Sequence, residues 1–294
     1  MSEWDGKSKG TVLGYKIFVF FIKKIGIKSA YLILYFVASY YFIFLKKNNA
    51  SIFYYFRKRL GYSYFKSKQM VFKSYYTFGQ TIIDKIAIGA GLKSKFTYEH
   101  DGGEIIIKLL EEKKGGVLIS AHIGNFEIAE HFFSEIDVNF QINLVTTDLE
   151  HSTIKNYLES ITQKPTIKFI IIADDLSHIF EINAALARNE LVCFTGDRYF
   201  EGVKSLSENL LGQEALFPAG PFLIASRLKV PVVFVYVMKE PNLHYHLYTR
   251  EAKVKHRDDK ALLREYTESV EKMIEKYPLQ WFNYFDFWNQ LKNK

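Results

Sequence analysis

A histidine and a carboxylate five residues apart, His122 and Glu127, stand directly after a short apolar run in the segment Ala121-His122-Ile123-Gly124-Asn125-Phe126-Glu127. A neutral imidazole takes a proton from a hydroxyl, and a carboxylate on its other ring nitrogen fixes the tautomer and steadies the imidazolium that forms. The pair has no nucleophile of its own, which suits an enzyme whose nucleophile is an alcohol brought by the substrate. Positions five apart on a continuous helix lie about 140° round the axis from each other, so the two side chains converge only if a turn comes between them. A lone histidine beside a strand is more often a satisfied polar residue than a catalyst. A metal site built from His122, Glu127 and His131 is disfavoured, because His131 falls deep in the expected helix and nothing forces it towards His122. His244 and His246 alternate along 243–249 and share one face of a strand, the pattern of a solvated face.

The elements that must position these groups follow from the texture of the chain. The run 117–121 reads as a buried strand, which puts His122 in the turn at its carboxyl end, with Asn125 as the cap of a helix over 125–135 and Glu127 in that helix's first turn. Further strands are expected over 141–146, 167–173, 191–195 and 230–237, and helices over 104–113, 152–162, 175–188 and 218–228. This alternation predicts an α/β fold with a mainly parallel central sheet covered by helices. Open sheets of that kind place ligands at the carboxyl ends of their strands, where His122 falls and where Asp197 and Arg198 follow the 191–195 strand.

Composition narrows the function classes. The 294 residues include 49 Phe, Tyr and Trp and a single cysteine, Cys193, which excludes an internal disulfide framework or a cysteine-held metal cluster and points to a reducing compartment. Residues 1–95 carry 17 lysines and arginines against three acids, Glu3, Asp5 and Asp84, whereas 22 basic residues face 29 acids in 96–294. The first third also holds 23 of the aromatic residues, so cations and rings are interleaved. That mixture suits an anionic membrane surface or a single-stranded nucleic acid. The apolar runs 12–22 and 29–45 favour the membrane; the second is short for a spanning helix, and spanning, interfacial and core placements all remain open. No signal peptide is evident, since lysines follow the first apolar run. Two regions are expected, an N-terminal membrane-associating helical region over 1–95 and an α/β domain over 96–294. The phosphate loop, the dinucleotide fingerprint, the serine-esterase elbow and the His-Glu-x-x-His metal pair are all absent from the sequence.

Four segments in order resemble the lysophospholipid acyltransferase superfamily, and specifically the late acyltransferases of lipid A biosynthesis. They are the His122 to Glu127 segment, Gly196-Asp197-Arg198 at a strand end, the stretch from Leu211 through Phe217-Pro218-Ala219-Gly220-Pro221 to Ala225, and Tyr277-Pro278-Leu279-Gln280-Trp281 near the end. The Trp281-Phe282-Asn283-Tyr284-Phe285-Asp286-Phe287-Trp288 ending departs from the lipid A enzymes and is similar to relatives of the aryl polyene and flexirubin pigment pathways. Rings there favour an apolar or aromatic acceptor, or else they simply dock the C-terminus on the core.

The resemblance implies an O-acyltransferase without metal or organic cofactor. It would move an acyl group from acyl carrier protein or acyl-CoA to a hydroxyl of a lipid-like acceptor, either a pigment or polyene lipid, a glycolipid, or lipid A itself. His122 would act as general base and Glu127 would orient it, beside an apolar slot. Gly124, Asn125, Asp197, Arg198 and Gly220 would line the substrate site, with backbone amides near Gly124 and Asn125 offered to the oxyanion. The place implied is the cytoplasmic face of a bacterial inner membrane, reached peripherally or through one N-terminal anchor. A non-catalytic lipid-binding scaffold is the rival reading; a nucleic-acid binder fits the acidic remainder of the chain poorly.

Overall fold

The computed structural model describes residues 12–129, 141–146, 167–172, 175–199 and 203–288. The expected helix over 152–162, the continuation of the 125–135 helix and His131 lie outside those residues.

Four helices lead the chain: α1 (Val12–Lys24), α2 (Ile27–Phe44), α3 (Lys46–Tyr54) and α4 (Tyr64–Ala87). Ser63 caps α4, its side chain accepting from the Lys66 N–H. α2 buries Ile27, Ala30, Leu34 and Ala38, a spacing that turns one stripe inward. It approaches α4 closely at Gly79, where a Cβ would fall 2.2 Å from Leu34 Cδ1. Its other side leaves Leu32, Tyr35, Phe36, Tyr40, Ile43 and Phe44 exposed. With 18 residues and mean hydropathy 1.5, α2 is long and apolar enough to cross a membrane by length and composition.

Behind these helices lies a seven-stranded sheet of β1 (Thr97–Asp101), β2 (Gly116–Ser120), β3 (Ile142–Thr146), β4 (Ile167–Ile171), β5 (Leu191–Thr195), β8 (Val232–Glu240) and β9 (His244–Glu251). The order is β1-β9-β8-β2-β5-β3-β4, and every neighbouring pair is parallel except β8 with β9. The fold is therefore α/β with a mostly parallel central sheet. Helices α5 (Gly103–Glu111), α6 (Ser177–Ala187), α7 (Ala219–Arg227) and α8 (Asp259–Lys276) are the remaining described α-helices, and β6 (Ser205–Leu210) and β7 (Gln213–Pro218) form a separate antiparallel hairpin.

Strand alternation divides the core. Val117, Ile119, Val192, Phe194, Phe234 and Tyr236 face one side, where α6, α7, α8 and the C-terminal aromatic segment pack. Leu118, Cys193, Leu144, Val235 and Leu247 face the other, against α2, α4 and α5. β2 and β5 pair in register, Ser120 opposite Thr195. Their carboxyl ends thus deliver residues 121–122 and 196–197 side by side, which creates the site described next.

Candidate active site

His122 leaves β2 and meets Asp197, which leaves β5. The His122 Nδ1 lies 2.7 Å from Asp197 Oδ1, and the His122 backbone N–H donates to both carboxylate oxygens at 3.0 Å. The Asp197 side chain is 1% exposed and that of His122 25%, so the carboxylate is sealed while the imidazole opens outward. Asn283 Nδ2 donates to Asp197 Oδ2 at 2.7 Å. Arg198 Nε in turn donates to Asn283 Oδ1 at 3.0 Å, and Arg198 Nη2 to the Phe282 carbonyl at 3.0 Å. Burial alone would raise the Asp197 pKa, but the charge and hydrogen bond of His122, the charge of Arg198 and the Asn283 bond outweigh it and hold the group down to about 2. Burial pulls Arg198 down to about 10, against the opposing effects of Asp197 and Tyr284. Asp197 is thus an anion at neutral pH.

The turn carrying His122 is stapled from two sides. The Phe282 N–H donates to the His122 carbonyl at 2.8 Å, the Gly124 N–H to the Gln280 carbonyl at 2.9 Å, and the Asn125 N–H to the Val237 carbonyl at 2.7 Å. Gln280 also clasps β8, accepting from the Lys239 N–H and donating to its carbonyl. Gly124 sits at φ 66°, where a Cβ would fall 2.2 Å from the Val237 oxygen, so only glycine fits. The two amides offered by the sequence to an oxyanion are therefore engaged in holding the turn. The Asn125 side chain does not cap the helix as expected: no side-chain cap bond forms, and its Nδ2 donates to the Thr81 carbonyl at 2.9 Å and to Tyr245 Oη at 3.4 Å. Residues 126–128 make a 3-10 turn where a full helix start was expected. Glu127 lies in that turn; its side chain is outside what the structure describes.

Asn125 leads to a second charged cluster that the sequence reading missed. Asp84 of α4, fully buried, receives Lys239 Nζ at 2.6 Å, Tyr245 Oη at 2.6 Å and the Tyr31 hydroxyl of α2. A signal for it existed: Asp84 is the single acid between residues 6 and 95. Asn283 and Gln280, also missed, carry no such mark.

Gly220 lies in the first turn of α7, where a Cβ would meet nothing within 4 Å, and among the described residues no hydrogen bond joins it to the His122–Asp197 pair. An apolar cavity lies beside Phe126, lined also by Leu118, Leu144, Cys193, Val235 and Leu247, with a volume of about 30 Å³. That is roughly a tenth of an ordinary ligand pocket, so as described it does not hold an acyl chain. Trp281, Phe282, Phe285 and Trp288 are all buried, and Trp288 Nε1 donates to the Leu210 carbonyl. Of the two readings of this ending, the structure gives the docking one, and these rings do not present an open aromatic face. His244 and His246 are not a plain solvated face: both approach Glu99, His246 at 2.7 Å, and His246 stacks on Tyr248 at 4.1 Å. Among the described residues no group of three or more His, Cys, Asp or Glu could hold a metal ion.

A family model described as bacterial lipid A biosynthesis acyltransferase matches residues 7–290. No curated protein matches the chain.

Proposed function

The chain belongs to the bacterial lipid A biosynthesis acyltransferase family, and from that premise we propose that it transfers a fatty acyl group from an acyl-carrier thioester to a hydroxyl of a lipid acceptor, with His122 as general base. The observation that carries this reading is the His122–Asp197 hydrogen bond at the carboxyl ends of two adjacent parallel strands. With Nδ1 committed to Asp197, Nε2 is the basic nitrogen. It takes the proton of the acceptor hydroxyl as that oxygen attacks the thioester carbonyl. The C–O bond forms, the C–S bond breaks, and the imidazolium returns the proton to the departing thiolate.

Asp197 holds the ring in this tautomer and offsets its charge. This transfers to Asp197 the orienting role first expected of Glu127. Glu127 stays in the proposal as a second carboxylate that offsets the charge on His122. Gly124 and Asn125 shape the turn, and Arg198, through Asn283 and the Phe282 carbonyl, braces the C-terminal segment against Asp197. No metal or organic cofactor enters the proposed step.

The proposed donor is acyl carrier protein, with acyl-CoA as the alternative. The family match favours a lipid A-type acceptor; the resemblance of the C-terminal segment favours a pigment or polyene lipid. The exposed apolar side of α2 and the surrounding lysines support attachment to an anionic bilayer, which places the acceptor within reach without extracting its chains; the cytoplasmic face of the inner membrane is the proposed location.

Incubating purified protein with acyl carrier thioesters of several lengths and a total lipid extract, then searching by mass spectrometry for a lipid heavier by one acyl group, tests the reading. A new acylated lipid is expected. Thioester hydrolysis alone, or no turnover at all, contradicts it.

A further inference from the structure

A second cavity, about 300 Å³ and ten times the volume of the one beside Phe126, opens between α2, α3 and α4. This reaches the lower end of the roughly 300–1,000 Å³ range of ligand sites. Its wall is divided by chemistry. Phe42, Ile43, Phe53 and Val71 are apolar, and Lys46 and Lys68 are cationic. Asn49 lies on the same wall; its Nδ2 donates to the Phe42 carbonyl, while its buried Oδ1 has no hydrogen-bond partner.

Position matches composition. Lys46 follows the C-terminus of α2, just after the exposed Ile43 and Phe44, while Tyr64 and the largely exposed Phe65 stand at the start of α4. An apolar surface thus ends in two cations at one level, the arrangement of acyl chain and headgroup in a lipid leaflet. The asparagine acceptor calls for a donor, which a headgroup hydroxyl supplies. On the neighbouring residue of α3, Asn48 Nδ2 donates to the Tyr284 carbonyl, next to the Asn283 that holds Asp197.

We propose that this groove binds one anionic phospholipid with a hydroxyl-bearing headgroup, of the phosphatidylglycerol class, its phosphate between Lys46 and Lys68 and an acyl chain along Phe42, Phe53 and Val71. The bound lipid fixes the depth at which the helical layer rests in the leaflet. It is a site for a resident lipid, separate from the acceptor on which acyl transfer acts.

Native mass spectrometry of the full chain released from detergent, with phosphatidylglycerol, phosphatidylcholine or inorganic phosphate added in turn, tests this without reference to activity. The wild type is expected to retain one phosphatidylglycerol and to retain neither phosphatidylcholine nor phosphate. Lys46→Gln with Lys68→Gln should weaken retention about thirtyfold, as expected for removing two cations from beside a lipid phosphate. Ala50→Trp, which fills the groove from an exposed position and leaves both lysines in place, should lower it as well. Lys23→Gln with Lys24→Gln, exposed at the end of α1, removes the same charge elsewhere and should change retention less than twofold. Equal loss in both double variants, retention in the Ala50→Trp variant, or equal retention of phosphatidylcholine would overturn the site. Because no acyl transfer is read, each of these outcomes leaves the catalytic proposal standing or falling by its own test.

Discussion

Asp84 and Asp197 are both fully buried carboxylates paired with a basic side chain, yet their surroundings differ in one respect. Lys239, the partner of Asp84, is 8% exposed, and the hydroxyls of Tyr31 and Tyr245 complete the enclosure. His122, the partner of Asp197, is 25% exposed, and the carboxylate is further held by the His122 backbone N–H and by Asn283. The first arrangement ties helices α2 and α4 to strands β8 and β9 with a closed set of charges and donors. The second leaves a base presented outward from a fixed anion. One pair is a strut and the other a reagent, and burial of the carboxylate alone does not distinguish them.

The largest effect that separates them is on rate. His122→Ala should lower acyl transfer by roughly 10²- to 10⁴-fold, the usual contribution of a positioned general base, while stability falls by no more than the roughly 2 kcal/mol that the lowered Asp197 pKa represents, because Asp197 keeps its bonds to Asn283 and the backbone. Steady-state kinetics with a calorimetric scan checks both halves; retention of most of the activity would remove His122 from the mechanism. Asp84→Ala should do the reverse. It leaves Lys239 buried without its anion, which costs about 3–5 kcal/mol, read as a lower urea midpoint, while turnover per folded molecule is largely kept.

Acid sharpens the contrast further. The folded pKa of Asp197 lies near 2, below its ordinary 3.8. Its contribution is therefore complete above the unfolded value and is lost as pH falls from about 5 towards 2, amounting to about 2 kcal/mol. Urea titrations at pH 6 and pH 3 should show about half of this loss, about 1 kcal/mol, in the wild type and a smaller one in Asp197→Asn. The smallest expected effect on rate is that of Asn283→Leu, which removes the hydrogen bonds that Asn283 donates to Asp197 and accepts from Arg198; only the first reaches the catalytic pair, and it is worth about 1.5 kcal/mol at the low end. Turnover should fall about tenfold with little change in KM, whereas a KM effect alone would assign Asn283 to substrate binding.

Apolar periodicity made the middle of the sheet legible. The run 191–195 is β5 residue for residue, and 117–121 differs from β2 by one position at each end. Strands buried on both faces read as unbroken apolar stretches. Of the two sheet edges, β4 lay within the expected 167–173 strand, but β1, Thr-Tyr-Glu-His-Asp and largely exposed, did not show, and neither did β6 of the separate hairpin, Ser-Leu-Ser-Glu-Asn-Leu. The β6–β7 hairpin turns on Leu211 and Gly212, both at positive φ, within a segment that suggested only a glycine- and proline-bearing motif.

For the site, His122 was legible because it ends a strong strand. Asp197 was legible as a residue lining the same crevice, but not as the histidine's partner. That partnership depends on β2 lying beside β5, a crossover that local pattern does not encode. Asn283 and Gln280 escaped because they act from an irregular C-terminal segment through single hydrogen bonds.

The central claim is that His122 and Asp197 act as one unit, and a double-mutant cycle on acyl transfer tests it most directly. Rates are compared for wild type, His122→Ala, Asp197→Asn and the variant carrying both changes. Residues that act together lose activity non-additively, so the double variant should be no slower than His122→Ala alone. Losses that multiply would contradict the account and show that the two residues contribute independently.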